Sequence, residues 1–186
     1  MRQPPRPADL ADAEDLVKLV QSAYRGDSSR QGWTTEADLL GGQRLDHETA
    51  AEMITEPDGV VLLLRDPLGE ALGSVQLRDL GPVSEGRRCA YFGLFAVAPH
   101  AQGAGLGSHL ISYAEDYARH AWDAEVMRMT VISIRTELIA YYERRGYQNT
   151  GRTEPFPYGD ERFGDPKRDD LEFTVLLKEL PAARQT

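Results

Sequence analysis

Apolar positions recur at helical spacing in several stretches of the chain. Ala13, Leu16, Val17, Val20 and Tyr24 share one face, with Asp9 placed to cap and Asp12 in the first turn, so a helix is predicted to about Tyr24. HETAAEMIT (47–55) predicts a second, stopped before Pro57. From Leu106, a stripe of Leu110, Tyr113, Ala114, Tyr117, Ala118 and Ala121 predicts a long one, with His109, Glu115, Asp116 and Arg119 opposite. Thr136 is placed to cap a fourth, running through Arg145 to a stop at Gly146. Between these lie shorter runs suited to strands. Val60–Arg65 and Ala71–Arg78 flank the turn DPLGE (66–70) and predict a hairpin. Arg88–Val97 is apolar on both faces and predicts a central strand. Val126–Ile132, Tyr147–Arg152 and Leu171–Lys178 complete the set, the last with Leu171, Phe173, Val175 and Leu177 on one face. The order α-α-β-β-β-α-β-α-β-β, without repeats or an internal boundary, predicts a single mixed α/β domain over 1–186.

Two stretches escape the pattern. Residues 25–44 are polar and glycine-punctuated, with room for a short helix near 35–40. Residues 152–170, RTEPFPYGDERFGDPKRDD, are longer than a hairpin connection needs, and long connections in compact domains tend to be functional or disordered. Phe156, Tyr158 and Phe163 favour an ordered flap.

Composition adds mainly exclusions. The hydrophobic content of 41% suits a globular protein of 186 residues. No apolar run approaches membrane-spanning length, and MRQPPRPADLADAEDL lacks a signal-peptide core, so a cytoplasmic protein with no membrane partner is expected. The formal net charge of −9 argues against nucleic acid as a partner and mildly favours a cationic one. The single Cys89 falls in a predicted buried strand and reads as a core thiol. His47, His100, His109 and His120 have no metal-ligand spacing, so no metal site is expected.

The candidate chemistry begins at VAPHAQGAGLGSHL (97–110), where glycines 103, 105 and 107 join a strand to a helix. No lysine follows them, which removes a P-loop, and the GxGxG spacing after a third strand removes a dinucleotide fingerprint. What remains is a helix N-terminus with unpaired N–H groups and few bulky side chains, suited to a pyrophosphate, with a ligand-free tight turn as the competing reading.

LFAVAPHAQGAGLGSHLI (94–111) resembles the acyl-coenzyme A motif of the GNAT N-acetyltransferase superfamily, through Val97, Pro99, Gln102, Gly105 and Gly107. YYERRGY (141–147) resembles the family's second motif. The resemblance implies a mixed, mostly antiparallel sheet of about six or seven strands, splayed at its middle and flanked by about four helices. It implies acetyl-CoA as cosubstrate and an amine of a small molecule or peptide as acceptor, acetylated by direct attack in a ternary complex. A homodimer is a further implication. The competing reading on the same fold is a non-catalytic acyl-CoA-binding regulatory module.

By the same resemblance, Leu94, Phe95, Ala96 and Val97 would run beside the pantetheine. Gln102, Gly103, Ala104, Gly105, Leu106, Gly107 and Ser108 would hold the pyrophosphate. Tyr142 would protonate the leaving thiolate, with Tyr141 as packing. Two positions depart from the pattern. Arg135 stands where many relatives have Asn, and is expected either to contact the coenzyme or to lie exposed. Tyr91 stands where some relatives have a glutamate base, so the base is unassigned. Glu36, Asp79 and Glu85 are candidates, with a water chain as the alternative. The acceptor would be read by Trp33, Thr34, Thr35 and Glu36 in the first variable segment and by Phe156 and Tyr158 in the second.

Overall fold

The computed structural model describes residues 3–25, 29–32, 35–83 and 86–181. The expected acceptor residues Trp33 and Thr34 and the candidate base Glu85 lie outside the described residues.

Nearly every predicted element forms. The helices are α1 (Ala13–Tyr24), α2 (His47–Thr55), α3 (Leu106–Trp122) and α4 (Thr136–Glu143). The strands are β1 (Arg6–Pro7), β2 (Leu40–Gly41), β3 (Gly59–Arg65), β4 (Ala71–Pro82), β5 (Arg88–Val97), β6 (Val126–Ile132), β7 (Gln148–Pro155), β8 (Asp165–Pro166) and β9 (Glu172–Glu179). Seven strands make one sheet in the order β1-β3-β4-β5-β6-β9-β7, while β2 and β8 pair separately. Every pairing is antiparallel except β5 with β6. Helix α3 connects these two parallel strands, as a crossover must.

Both sheet faces are covered, because the strands present apolar side chains in both directions. Leu62, Val75, Leu77, Phe92, Phe95 and Met129 meet Leu110, Ala114 and Tyr142 on one face. Val61, Leu63, Leu94 and Ala96 meet Leu16, Val20 and Ala23 on the other. Asp9 forms a capping box with Asp12 at a 3-10 turn leading into α1. Asp12 also binds Arg6 at 2.8 Å and Arg65 at 2.7 Å, which ties β1 and β3 to the start of that helix.

Several expectations shift. The short helix near 35–40 is one hydrogen-bonded turn that enters β2. In α3 the buried line is Leu110, Ile111, Ala114 and Ala118, and Ala121 faces solvent. Thr136 is the first residue of α4, whose N-cap position belongs to Arg135 without a side-chain cap. On β9, Leu176 is fully buried in the main core, opposite the face predicted from Leu171, Phe173 and Val175. That predicted face packs on Phe156 and Leu40, because the second variable segment covers it.

Candidate active site

The parallel pairing of β5 with β6 covers only Cys89–Val126, Ala90–Met127 and Tyr91–Arg128. Beyond that point β5 follows β4 and β6 follows β9, so the two strands part and leave a gap. A bulge deepens the separation. Register against β4 slips between Ser74 and Gln76, and Leu94 takes a positive φ of 45°. The extra residue puts Phe92 and Phe95 on the same face although three positions separate them.

Two cavities lie along this gap, and Phe95 lines both. The first, of about 570 Å³, is bounded by Val97, Gly103, Gly105, Gly107, Tyr141 and Arg145, among others. Gly103 and Gly105 have φ of 82° and 76°, which other residues seldom adopt. At Gly107 a Cβ would meet the Tyr141 hydroxyl at 2.7 Å and the Phe95 ring at 3.3 Å. Arg145 stacks on the Tyr141 ring, 3.4 Å from its centroid, and donates to Ser108 Oγ at 2.8 Å. Arg144 lines the same cavity. Two guanidiniums, the first-turn N–H groups of α3 and a glycine cradle form a site suited to a polyanion such as a coenzyme's phosphates.

The second cavity, of about 380 Å³, fills the gap itself. Phe92–Phe95 form one wall and Met129–Ile132 the other, with Tyr24, Glu36, Arg44, Arg135 and Tyr142 around them. Tyr142 is packed by Phe92, Phe95, Tyr141 and Tyr147. Its hydroxyl has no hydrogen-bond partner among the described residues. Burial pushes this phenol well above the ordinary tyrosine range, and Tyr24 and Tyr141 add to the effect. Tyr142 therefore holds its proton at neutral pH. Tyr24, pushed up mainly by burial, donates its hydroxyl to the Phe95 carbonyl at the bulge.

Predicted site residues distribute unevenly. Leu94 and Phe95 line the gap, and Phe95, Val97, Gln102, Gly103, Gly105, Gly107 and Ser108 line the loop cavity. Ala96 instead packs against α1, and Leu106 turns toward the β3–β4 hairpin. The Gln102 side chain donates to the Val97 carbonyl at 3.0 Å and packs on Gly32, so it shapes the loop from behind. Arg135 is neither exposed nor at the glycine loop. It is buried beside the gap, with Nε 2.6 Å from Glu137. Asp79 binds Arg88 at 2.5 Å on the far part of β4 and is not among the residues lining the gap. Glu36 does line the gap, held by buried Arg25 at 2.6 Å. Tyr91 lies against Gly93 with its hydroxyl 3.3 Å from Thr130.

The two variable segments prove to be one structure. Leu40 and Gly41 pair with Pro166 and Asp165, Lys167 N–H donates to the Leu39 carbonyl at 2.9 Å, and Arg25 reaches the Phe163 carbonyl. The flap contributes Glu154, Pro155, Pro157 and Phe163 to the gap. Phe156 and Tyr158 do not face it. Phe156 is buried under the flap against Phe173, and half-exposed Tyr158 accepts from the Leu171 N–H at 2.7 Å. Sequence reading missed Arg44, Arg128, Tyr141, Arg144 and Arg145 as site residues. Only the Arg144–Arg145 doublet, one turn beyond a motif tyrosine, carried a local signal.

The profile of the acetyltransferase (GNAT) family matches residues 15–147. No curated protein matches the sequence. Among solved structures, the ribosomal-protein-alanine N-acetyltransferase of Brucella melitensis gives a TM-score of 0.69 at 19% identity, over 96% of this chain and 100% of that one. An N-acetyltransferase of Staphylococcus aureus gives 0.70 at 13%, over 97% and 98%. An acetyltransferase of Salmonella typhimurium, solved with acetyl-CoA, gives 0.64 at 20%, over 98% and 96%. At such identities the likeness is one of fold.

Proposed function

The chain belongs to the acetyltransferase (GNAT) family, and on that premise we propose that it transfers the acetyl group of acetyl-CoA to a primary amine by direct attack in a ternary complex. The observation that carries this reading is that the two cavities adjoin the same residue, Phe95. A polyanion cradle and a polar gap meet at Phe95, and Tyr142 faces the gap.

Bound acetyl-CoA supplies a thioester with an electrophilic acyl carbon and a thiolate leaving group. The chain's residues have separate tasks around it. Gly103, Gly105 and Gly107 leave the helix N–H groups accessible to phosphate, and Arg144 and Arg145 add charge. The open edges of β5 and β6 offer main-chain groups that no strand takes up. At the bulge, Tyr24 fixes the Phe95 carbonyl and so sets the local peptide orientation. Tyr142 holds its proton through the neutral range and donates it, or a hydrogen bond, to the departing sulfur. Its raised affinity for that proton makes full transfer uphill toward an ordinary thiol, so the donor acts late, as negative charge builds on sulfur. The attacking amine gives up one proton to water and water returns one to Tyr142, so the net products are an amide and a free thiol and the phenol is restored.

Initial rates at varied acetyl-CoA and amine test the scheme. Intersecting reciprocal plots are expected, since both substrates must be present together. Parallel plots would reveal a covalent acetyl-enzyme and overturn direct attack.

A further inference from the structure

The gap holds a charge arrangement that the proposed chemistry does not use. Arg128 and Glu154 both line it and bind each other directly. Arg135 is held by Glu137. Arg25, buried behind the wall, takes Glu36 at 2.6 Å through Oε2. One guanidinium is left over. Arg44 Nε lies 3.8 Å from that same Glu36 oxygen, beyond hydrogen-bond reach, and no other acceptor meets its guanidinium among the described residues. One glutamate thus serves two arginines, and the cavity keeps an excess positive charge inside a chain of net charge −9.

Arg44 is also fixed in place. Its backbone N–H donates to Gln21 at 3.0 Å, and its guanidinium lies over the Tyr24 ring, 5.6 Å from the centroid. The side chain is 23% exposed, so the charge is shielded but reachable from the cavity. The same Tyr24 places its hydroxyl on the Phe95 carbonyl at the bulge. A single tyrosine ring therefore separates a forked cation, paired only loosely with Glu36 through Nε at 3.8 Å, from the point where the acyl group would be attacked.

We propose that the acceptor is a small amino acid, and that Arg44 reads its carboxylate while its amine points to the bulge. This rests on the acetyltransfer reading and adds the substrate class. A planar guanidinium with two unused donors matches a carboxylate in a way a lone ammonium would not. The excess charge also works against polyamines and basic peptides, which the chain's overall acidity would favour: the local field at the site, not the sum over the surface, selects the substrate.

The test compares short amino acids with their own primary carboxamides, which keep the amine and remove the anion. For the wild type, kcat/KM is expected to favour the carboxylate by about 10- to 100-fold, as a charge-assisted hydrogen bond warrants. Arg44→Gln is expected to bring the ratio to about one, whichever way absolute rates move, and Arg44→Lys to retain part of it. Retained heat stabilisation by acetyl-CoA shows that both variants are folded. A wild-type ratio near one, faster turnover of a polyamine such as spermidine, or an unchanged ratio in Arg44→Gln would each overturn the assignment while leaving acetyltransfer intact. Acetyl-CoA binding with no amine acetylated at all would overturn both readings.

Discussion

Tyr142 sits among four aromatic rings and lines the gap, and this setting makes its behaviour specific enough to test. Replacing it with Phe keeps the packing and removes one proton. The expected result is a fall in kcat of roughly 10- to 10³-fold with little change in the KM for acetyl-CoA. Because burial holds the phenol protonated well beyond the ordinary value of 10.0, kcat should show no alkaline loss at or below that pH. A descending limb there would contradict the assignment. Asp12 offers a stability test at the same scale. Burial alone would raise its pKa, but hydrogen bonds from Arg6, the Asp9 N–H and Arg65 outweigh it and bring the value to about 2, against 3.8 ordinarily. Its stabilisation is therefore complete above 3.8 and is lost as pH falls toward 2. Asp12→Ala should cost on the order of 1–2 kcal/mol in urea unfolding at neutral pH, with the difference from wild type shrinking in acid. Glycines 103, 105 and 107 and Tyr142 were legible in the sequence because a motif is local. Arg44 and Arg128 were not, since nothing in their neighbours distinguishes a cavity guanidinium from a solvated one.

At the scale of elements, the site depends on an interruption. The β5–β6 pairing ends after Tyr91, and the bulge at Leu94 turns the next residues. The run 88–97, apolar on both faces, predicted the strand and its central place, but such a run hides a one-residue slip. The loop after β5 makes a sharper prediction. A side chain at Gly107 would strike the Tyr141 hydroxyl, so Gly107→Val should raise the KM for acetyl-CoA at least about tenfold, the scale of one lost close contact in a packed site. Steady-state kinetics at saturating amine check it. The β2–β8 pair is the corresponding handle on the acceptor side. Gly164 has φ of 81°, and a Cβ there would lie 2.5 Å from the Gly41 carbonyl. Gly164→Ala should loosen the flap and raise the KM for the amine several-fold, while heat stabilisation by acetyl-CoA persists.

Over the whole molecule, the sheet serves as a frame opened along one seam, with the glycine loop and its arginines at one end and the flap at the other. The cradle end was readable because strand, glycine turn and helix are consecutive. The lid was not, because its halves lie far apart in sequence and meet through β2, β8, Arg25 and Lys167 and through the packing of Leu40 with Phe156. Each half alone looked like a polar connection. Phe156 and Tyr158 looked like substrate contacts because an aromatic in a loop carries no sign of which way it will turn. In the fold they hold the lid, and Pro155 and Pro157 line the gap. The claim that joins these parts is that the seam brings a thioester and an amine together beside Tyr142. It is tested most directly by thiol release from acetyl-CoA, followed with and without a panel of primary amines, for the wild type and Tyr142→Phe. The account predicts release that requires an amine, yields the acetylated amine in equal amount, and drops sharply in the variant. Release independent of amine, or equal in both proteins, would contradict it.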